Sequence, residues 1–383
     1  MSSETDYEAS KIRNQLQKPG RWVVKIGSAL LTNDGLGLDT DAIAHWVEQL
    51  AVLKQRGYDI VLVSSGSVAE GLVRLGWSKR PDELCQLQAA AAVGQMGLVQ
   101  AYEQEFQKYD LNTAQILLTH DDLSNRTRYL NARNTINTLI QVDAVPIINE
   151  NDTVVTDEIR FGDNDTLAGL VANLIQADTL IILTDQQGLY SADPRINPGA
   201  KFISAAIASD DDVLAMASPS GGGLGRGGMQ TKIKAARFAT RSGTHTLICS
   251  GREPEILLRL SQGESLGTLL YADTAPFNAR KQWLAGQLRV CGELRLDEGA
   301  SRVLKQAGKS LLPVGVTHIS GRFKRGELVS IQDQTGKEIG RGLVNYSAED
   351  ALKVIGKSSE QIIEVLGFSD GDALVHRDNL ILV

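Results

Sequence analysis

The sequence predicts an α/β protein: a mainly parallel sheet sandwiched by helices, followed by a second, smaller β-rich domain. Three observations carry this. Short apolar runs alternate with longer stretches of helical spacing over most of the chain. Several of these runs are continuous and β-branched, as expected of strands buried on both faces. After about Thr268 the rhythm changes to short strand-like runs separated by turns. With 383 residues there is room for two domains, and 42% apolar with 22% charged residues is a globular composition.

Residues 1–20 are polar and mixed in charge, lack the apolar stretch of a signal peptide, and read as a flexible lead-in. Strands are expected over 22–26, 60–63, 114–118, 144–148, 179–183 and 246–249. Helices are expected between them over 40–56, 83–108, 126–141, 166–176 and 230–241. These elements set a first domain at 21–270, with 271–289 as a linker. The second domain, 290–383, is expected to hold strands over 292–296, 315–319, 327–332, 339–346 and 373–376. Short helices are expected there over 299–307, 348–355 and 358–366.

The net charge of −7 does not suggest a nucleic-acid or membrane-surface protein. No run approaches 18 apolar residues, so no membrane span is expected. Cys85, Cys249 and Cys291 are far apart and odd in number, the usage of a reducing cytosol. The histidines show no metal spacing, and no G-x-S-x-G elbow occurs. Gly308-Lys309-Ser310 and Gly356-Lys357-Ser358 are not P-loops, because Val303 and Ala351 stand where the earlier glycine is needed. Gly223, Gly225 and Gly228 spell G-x-G-x-x-G, but no strand precedes them and no carboxylate follows at the dinucleotide-binding distance.

In an open parallel sheet, ligands bind beyond the carboxyl ends of the strands. Four of those ends carry small or polar groups: Lys25-Ile26-Gly27-Ser28, Ser64-Ser65-Gly66-Ser67, Asn149-Glu150-Asn151-Asp152 and Thr184-Asp185. Taken singly, each is an ordinary turn; together at one edge they form a ligand cleft. Backbone N–H groups at strand-to-helix turns suit phosphate, and Gly27-Ser28, Ser65-Gly66-Ser67 and the glycine loop 221–228 fit that role. The glycine loop leads into a helix with Lys232 in its first turn. Asp163 and Asp165 flank Asn164 just before another helix, where carboxylates cap N–H groups, hold Mg²⁺ or accept an ammonium. Lys25 stands near the end of an apolar strand, a position suited to neutralising charge in phosphoryl transfer.

These motifs, with Leu183-Thr184-Asp185-Gln186-Gln187-Gly188, Ala192-Asp193-Pro194-Arg195 and Gly227-Gly228-Met229-Gln230-Thr231-Lys232, resemble the motif series of the amino acid kinase family. Ser310-Leu311-Leu312-Pro313 and the stretch from Gly321 to Glu327 resemble a PUA domain. The resemblance runs from about Arg21 to the end of the chain. It implies ATP-dependent phosphorylation, with Mg²⁺, of the γ-carboxylate of L-glutamate in the first step of proline biosynthesis. It gives Lys25, Lys232 and Asp165 catalytic roles. It places Ser65, Asp152, Asn164 and Asp163 on glutamate, with Asp165 lining the same pocket. It places Lys25, Gly27, Ser28, Thr184, Asp185, Arg226, Gly227, Gly228, Met229, Gln230, Thr231 and Lys232 on ATP. It also implies a cytoplasmic homo-oligomer, feedback inhibition by proline, and no membrane partner. Two positions depart from the family pattern: Ala29 and Arg226 each replace a hydroxyl residue. The competing class is an RNA-binding or RNA-modification protein acting through the PUA-like domain. Residues 290–383 carry 12 Lys and Arg against 13 Asp and Glu, without the basic excess of a strong RNA binder.

Overall fold

The structure is a computed structural model that describes residues 3–32, 37–155, 164–217, 228–273, 290–307 and 309–382. The chain divides into two compact units, residues 1–124 with 131–279 and residues 125–130 with 280–383.

Among the described residues, the first unit is built on eight strands: β1 (Arg21–Ile26), β2 (Asp59–Val63), β3 (Thr113–Leu118), β4 (Val145–Glu150), β5 (Thr179–Thr184), β6 (Ala205–Ile207), β7 (His245–Ser250) and β8 (Thr268–Tyr271). Their order across the sheet is β3-β4-β2-β1-β5-β7-β8-β6. The six strands from β3 to β7 run parallel. β8 is antiparallel to β7, and β6 is parallel to β8. The continuous apolar runs are explained by burial: Val23 and Val24 of β1, and Leu180 to Leu183 of β5, are wholly enclosed.

Strand β1 has β2 on one side and β5 on the other, so the strand order reverses beside it and a crevice opens at the carboxyl ends. Those ends are level. Lys25 stands opposite Val63 and Ile182, Ile26 opposite Leu183, and Thr184 opposite Ser250.

Among the described residues, the helices lying wholly or mostly in this unit are α1 (Ser3–Gln15), α2 (Thr40–Gln55), α3 (Ser67–Arg74), α4 (Leu84–Gln107), α5 (His120–Ser124), α6 (Arg126–Gln141), α7 (Asn164–Ile175), α8 (Asp211–Met216), α9 (Met229–Ala239) and α10 (Ile256–Ser261). Asp39 caps α2 by accepting the Ala42 N–H. Two close helix contacts need glycine. A Cβ on Gly94 of α4 would strike the Ser67 carbonyl of α3, and one on Gly169 of α7 would strike the Ala235 carbonyl of α9.

Two expectations are corrected. Residues 3–20 are not a flexible lead-in, for α1 buries Ala9 and Ile12 in the main core, and Leu16, just past the end of the helix, joins the same core. Arg13 of α1 is itself buried, and its guanidinium donates to the carbonyls of Ser204, Glu264, Leu266 and Gly267. Strands β6 and β8 were not expected. They have only three and four residues, too few to show a period of their own, and β8 extends to Tyr271. Residues 274–289, most of the expected linker, lie outside the described residues.

The second unit has strands β9 (Gly292–Leu296), β10 (Val316–Gly321), β11 (Leu328–Gln332), β12 (Glu338–Val344) and β13 (Val375–Leu382) in the order β10-β9-β11-β12-β13. Its helices are α11 (Glu298–Ala307), α12 (Ala348–Val354) and α13 (Gln361–Leu366). Among the described residues, β9 and β11 pair in parallel and the other neighbours are antiparallel. A separate core, including Leu294, Ile331, Val344 and Tyr346, holds this unit together.

Candidate active site

Three elements bring a carboxylate between two ammonium groups. Lys25 comes from the end of β1, Asp165 from the first turn of α7 and Lys232 from the first turn of α9. Lys25 Nζ lies 2.5 Å from Asp165 Oδ1, and Lys232 Nζ lies 2.8 Å from Asp165 Oδ2. All three are buried, Asp165 at 1% exposure. Burial alone would push the Asp165 carboxyl up, but the charges of Lys232 and Lys25 hold it well below the usual carboxylate range. The Gly169–Ala235 contact lets α7 and α9 approach closely enough for this meeting. Asp165 was expected to line the glutamate pocket. Its carboxylate is instead taken up by the two lysines and the Thr231 hydroxyl at 2.8 Å, so it has little left for a substrate ammonium.

Beside this centre, the ends of β2 and β4 and the start of α7 are joined by polar side chains. Asn164 Nδ2 lies 2.9 Å from Ser64 O, Ser65 Oγ and Asn149 Oδ1. Asn149 Oδ1 also accepts the Glu150 backbone N–H, which fixes the amide so that its Nδ2 donates to Gln95 Oε1 at 2.8 Å. Below Ser65, the Ser64 hydroxyl is 3.0 Å from the enclosed Tyr102 hydroxyl. Gly66 then turns the chain into α3 with φ +106°, a conformation that excludes most other residues.

Asp152 follows β4 and accepts from the Ser67 hydroxyl at 3.3 Å. Burial and the neighbouring Glu150 push its carboxyl up to about 7. Glu150 is buried, with Oε1 3.7 Å from His120 Nδ1.

At the end expected to hold nucleotide, Thr184 closes β5 and its hydroxyl donates to Asp185 at 3.1 Å. Gly27 was expected to offer its N–H to phosphate; that N–H instead donates to Leu183 O at 3.2 Å. Ser28 opens a short 3-10 turn ending at Leu30. Gly228 precedes α9, whose first residues are Met229 and Gln230. Gln230 donates its side-chain amide to Ala217 O at 3.0 Å. Asp163, Arg226 and Gly227 lie outside the described residues. Among the described residues no three His, Cys, Asp or Glu side chains converge as a metal cage.

Sequence reading did not find the supporting roles of Gln95, Tyr102, Ser67 and Gly169. A signal exists for the first two: a glutamine and a tyrosine on the buried stripe of α4, where a polar atom needs a partner.

A parallel sheet with its charged cluster at the switch point is an α/β ligand-binding domain, and comparison with known proteins narrows that class. The model of the amino acid kinase family matches residues 20–250, and that of the PUA domain matches residues 292–366. The chain belongs to the amino acid kinase family. It is 62% identical over 366 residues to the glutamate 5-kinase of Hydrogenovibrio crunogenus, covering 96% of this chain and 97% of that one. It is 58% identical to the glutamate 5-kinase of Thioalkalivibrio sulfidiphilus, covering 98% of this chain and 100% of that one. Among solved structures, the carbamate kinase of Giardia lamblia matches 67% of this chain and 100% of its own at 17% identity and a TM-score of 0.49.

Proposed function

We propose that the chain is a glutamate 5-kinase, transferring the γ-phosphoryl group of ATP to the γ-carboxylate of L-glutamate to give L-glutamyl 5-phosphate. This is the opening step of proline biosynthesis. The observation that carries the reading is the buried Lys25–Asp165–Lys232 centre at the switch point, in a chain about 60% identical along nearly its whole length to glutamate 5-kinases.

The attacking carboxylate is already anionic at neutral pH, so the site needs no strong general base. What it needs is alignment and neutralisation of charge as the phosphoryl group moves in line. Mg²⁺ bound to ATP supplies charge neutralisation on the phosphates. Lys25 and Lys232 supply it from the protein, and Asp165 holds both ammonium groups in place. Asp152 receives the substrate ammonium, while Ser65 and Asn164 bind the body of the amino acid. Thr184, Asp185 and the glycine loop lie on the nucleotide side.

The reading includes a cytoplasmic homo-oligomer, and no described helix is long and apolar enough to cross a membrane. It also includes inhibition by proline. Proline shares the ammonium and α-carboxylate of glutamate but lacks the γ-carboxylate, so it fits the Asp152 end alone. Calorimetric titration with both ligands should show mutual exclusion; simultaneous binding would place proline elsewhere.

Trapping the acyl phosphate with hydroxylamine tests the activity. Hydroxamate should form with ATP, Mg²⁺ and L-glutamate together. Formation with another amino acid in preference to glutamate would overturn the substrate assignment.

A further inference from the structure

We infer that Thr231 is a positioning residue of phosphoryl transfer: its hydroxyl holds the Asp165 oxygen that Lys232 releases as it turns to the phosphoryl group. The inference rests on the proposed kinase activity and deepens it.

The Asp165 carboxylate has its partners unevenly placed. Lys25 is on Oδ1, whereas Lys232 Nζ and Thr231 Oγ1 both reach Oδ2, each at 2.8 Å. The Thr231 hydroxyl also lies 2.8 Å from Gly228 O, yet it has only one proton to give. Gly228 O already accepts the Thr231 backbone N–H at 3.2 Å. A carboxylate is the stronger acceptor, so the hydroxyl proton belongs on Asp165.

Two donors on one oxygen have different freedom. The Lys232 ammonium rides on a flexible four-carbon stem, while the Thr231 hydroxyl is fixed by a short β-branched side chain to the first turn of α9. Charge develops on the phosphoryl oxygens in the transition state, outside the ion pair. Lys232 has three N–H donors, one of them on Oδ2, and advancing toward that charge weakens its hold on Asp165. With Asp165 at 1% exposure, water does not replace the departing donor. Thr231 keeps Oδ2 paired through the step. The benefit arises after substrates bind, so it belongs in kcat and not in KM.

The test uses the full-length protein. Thr231→Val keeps the shape and removes the hydroxyl; Thr231→Ser keeps the hydroxyl. Thr231→Val should lower kcat by about 10-fold or more, with KM for ATP and for glutamate within about two-fold of the parent. Thr231→Ser should restore kcat to within about three-fold. A second measurement avoids activity. Lys232→Met removes the other donor on Oδ2, so the Tm loss of the Thr231→Val/Lys232→Met double variant should exceed the sum of the single losses. Wild-type kcat in Thr231→Val, or additive Tm losses, overturns the inference; additivity would put the hydroxyl on Gly228. Absence of glutamate-dependent acyl phosphate from the parent protein would instead overturn the proposed kinase activity, while the Tm cycle would still report on the Thr231–Asp165 contact.

Discussion

Lys25 and Lys232 come from strand and helix positions 207 residues apart, and Asp165 from a third element. Each was legible singly, because a charge next to an apolar run asks for an explanation. Their pairing was not, since it depends on how β1, α7 and α9 pack. Lys232→Ala should lower kcat by about 10²–10³-fold, the usual loss on deleting one transition-state donor. A steady-state assay showing kcat within a few-fold of the parent would make Lys232 only a helix-terminal charge. Asp152 gives a pH-dependent prediction. Its carboxyl is raised to about 7, so below that pH the ligand-free site holds a proton. Binding an ammonium there must expel the proton, so KM for glutamate should rise by up to about 10-fold per pH unit as pH falls below 7. Asp152→Asn should have a high, flat KM over the same range. The same shift affects stability. The unfolded chain ionises Asp152 near pH 4, whereas the fold resists until about 7. Asp152→Asn should therefore raise Tm at pH 8 and have little effect on it at pH 4, as calorimetric scans at the two pH values would show.

At the scale of elements, the six parallel strands and five long helices of the first unit were legible because their burial is continuous or strongly periodic. Helix α1 was not. Ala9, Ile12 and Leu16 stand at helical spacing, but the polar residues around them hid the stripe, and its partners lie far along the chain. The α7–α9 contact was equally hidden, since one glycine in a helix does not announce a neighbour. Gly169→Ala should push these helices apart, because the new methyl group meets the Ala235 carbonyl. The expected loss of stability is about 1–3 kcal/mol. Both ion pairs of Asp165 depend on that spacing, so kcat should fall as well. A lowered Tm with unchanged kcat would mean that the lysines follow the carboxylate as it moves.

At the scale of the whole molecule, the class of fold was legible and the strand order was not. Alternation requires parallel pairing, yet it does not say that β3 goes to the edge while β4 inserts beside β2. Strand order is a matter of tertiary packing, which no single run of sequence records. Every described candidate site residue belongs to the first unit. Truncation after Gly286 should therefore leave an active kinase, with kcat within a few-fold of the full chain in the hydroxamate assay. A folded but inactive truncate at every Mg²⁺ concentration would show that the second unit completes the site.

The Arg13 anchorage also bears on the order in which the molecule assembles. The carbonyls it grips are 191 to 254 residues further along the chain. Helix α1 leaves the ribosome before these partners, which are synthesised only after most of the sheet. A polar 13-residue helix is marginal on its own in water. Its docking thus closes one of the longest loops in the unit, and the loop-closure entropy is lost before the contacts form. In kinetic terms α1 belongs on the native side of the folding barrier. Weakening it through Arg13 should accelerate unfolding and leave the rate of folding nearly untouched. Of the segments that meet at Arg13, the one made earliest is then the last to lock and the first to release.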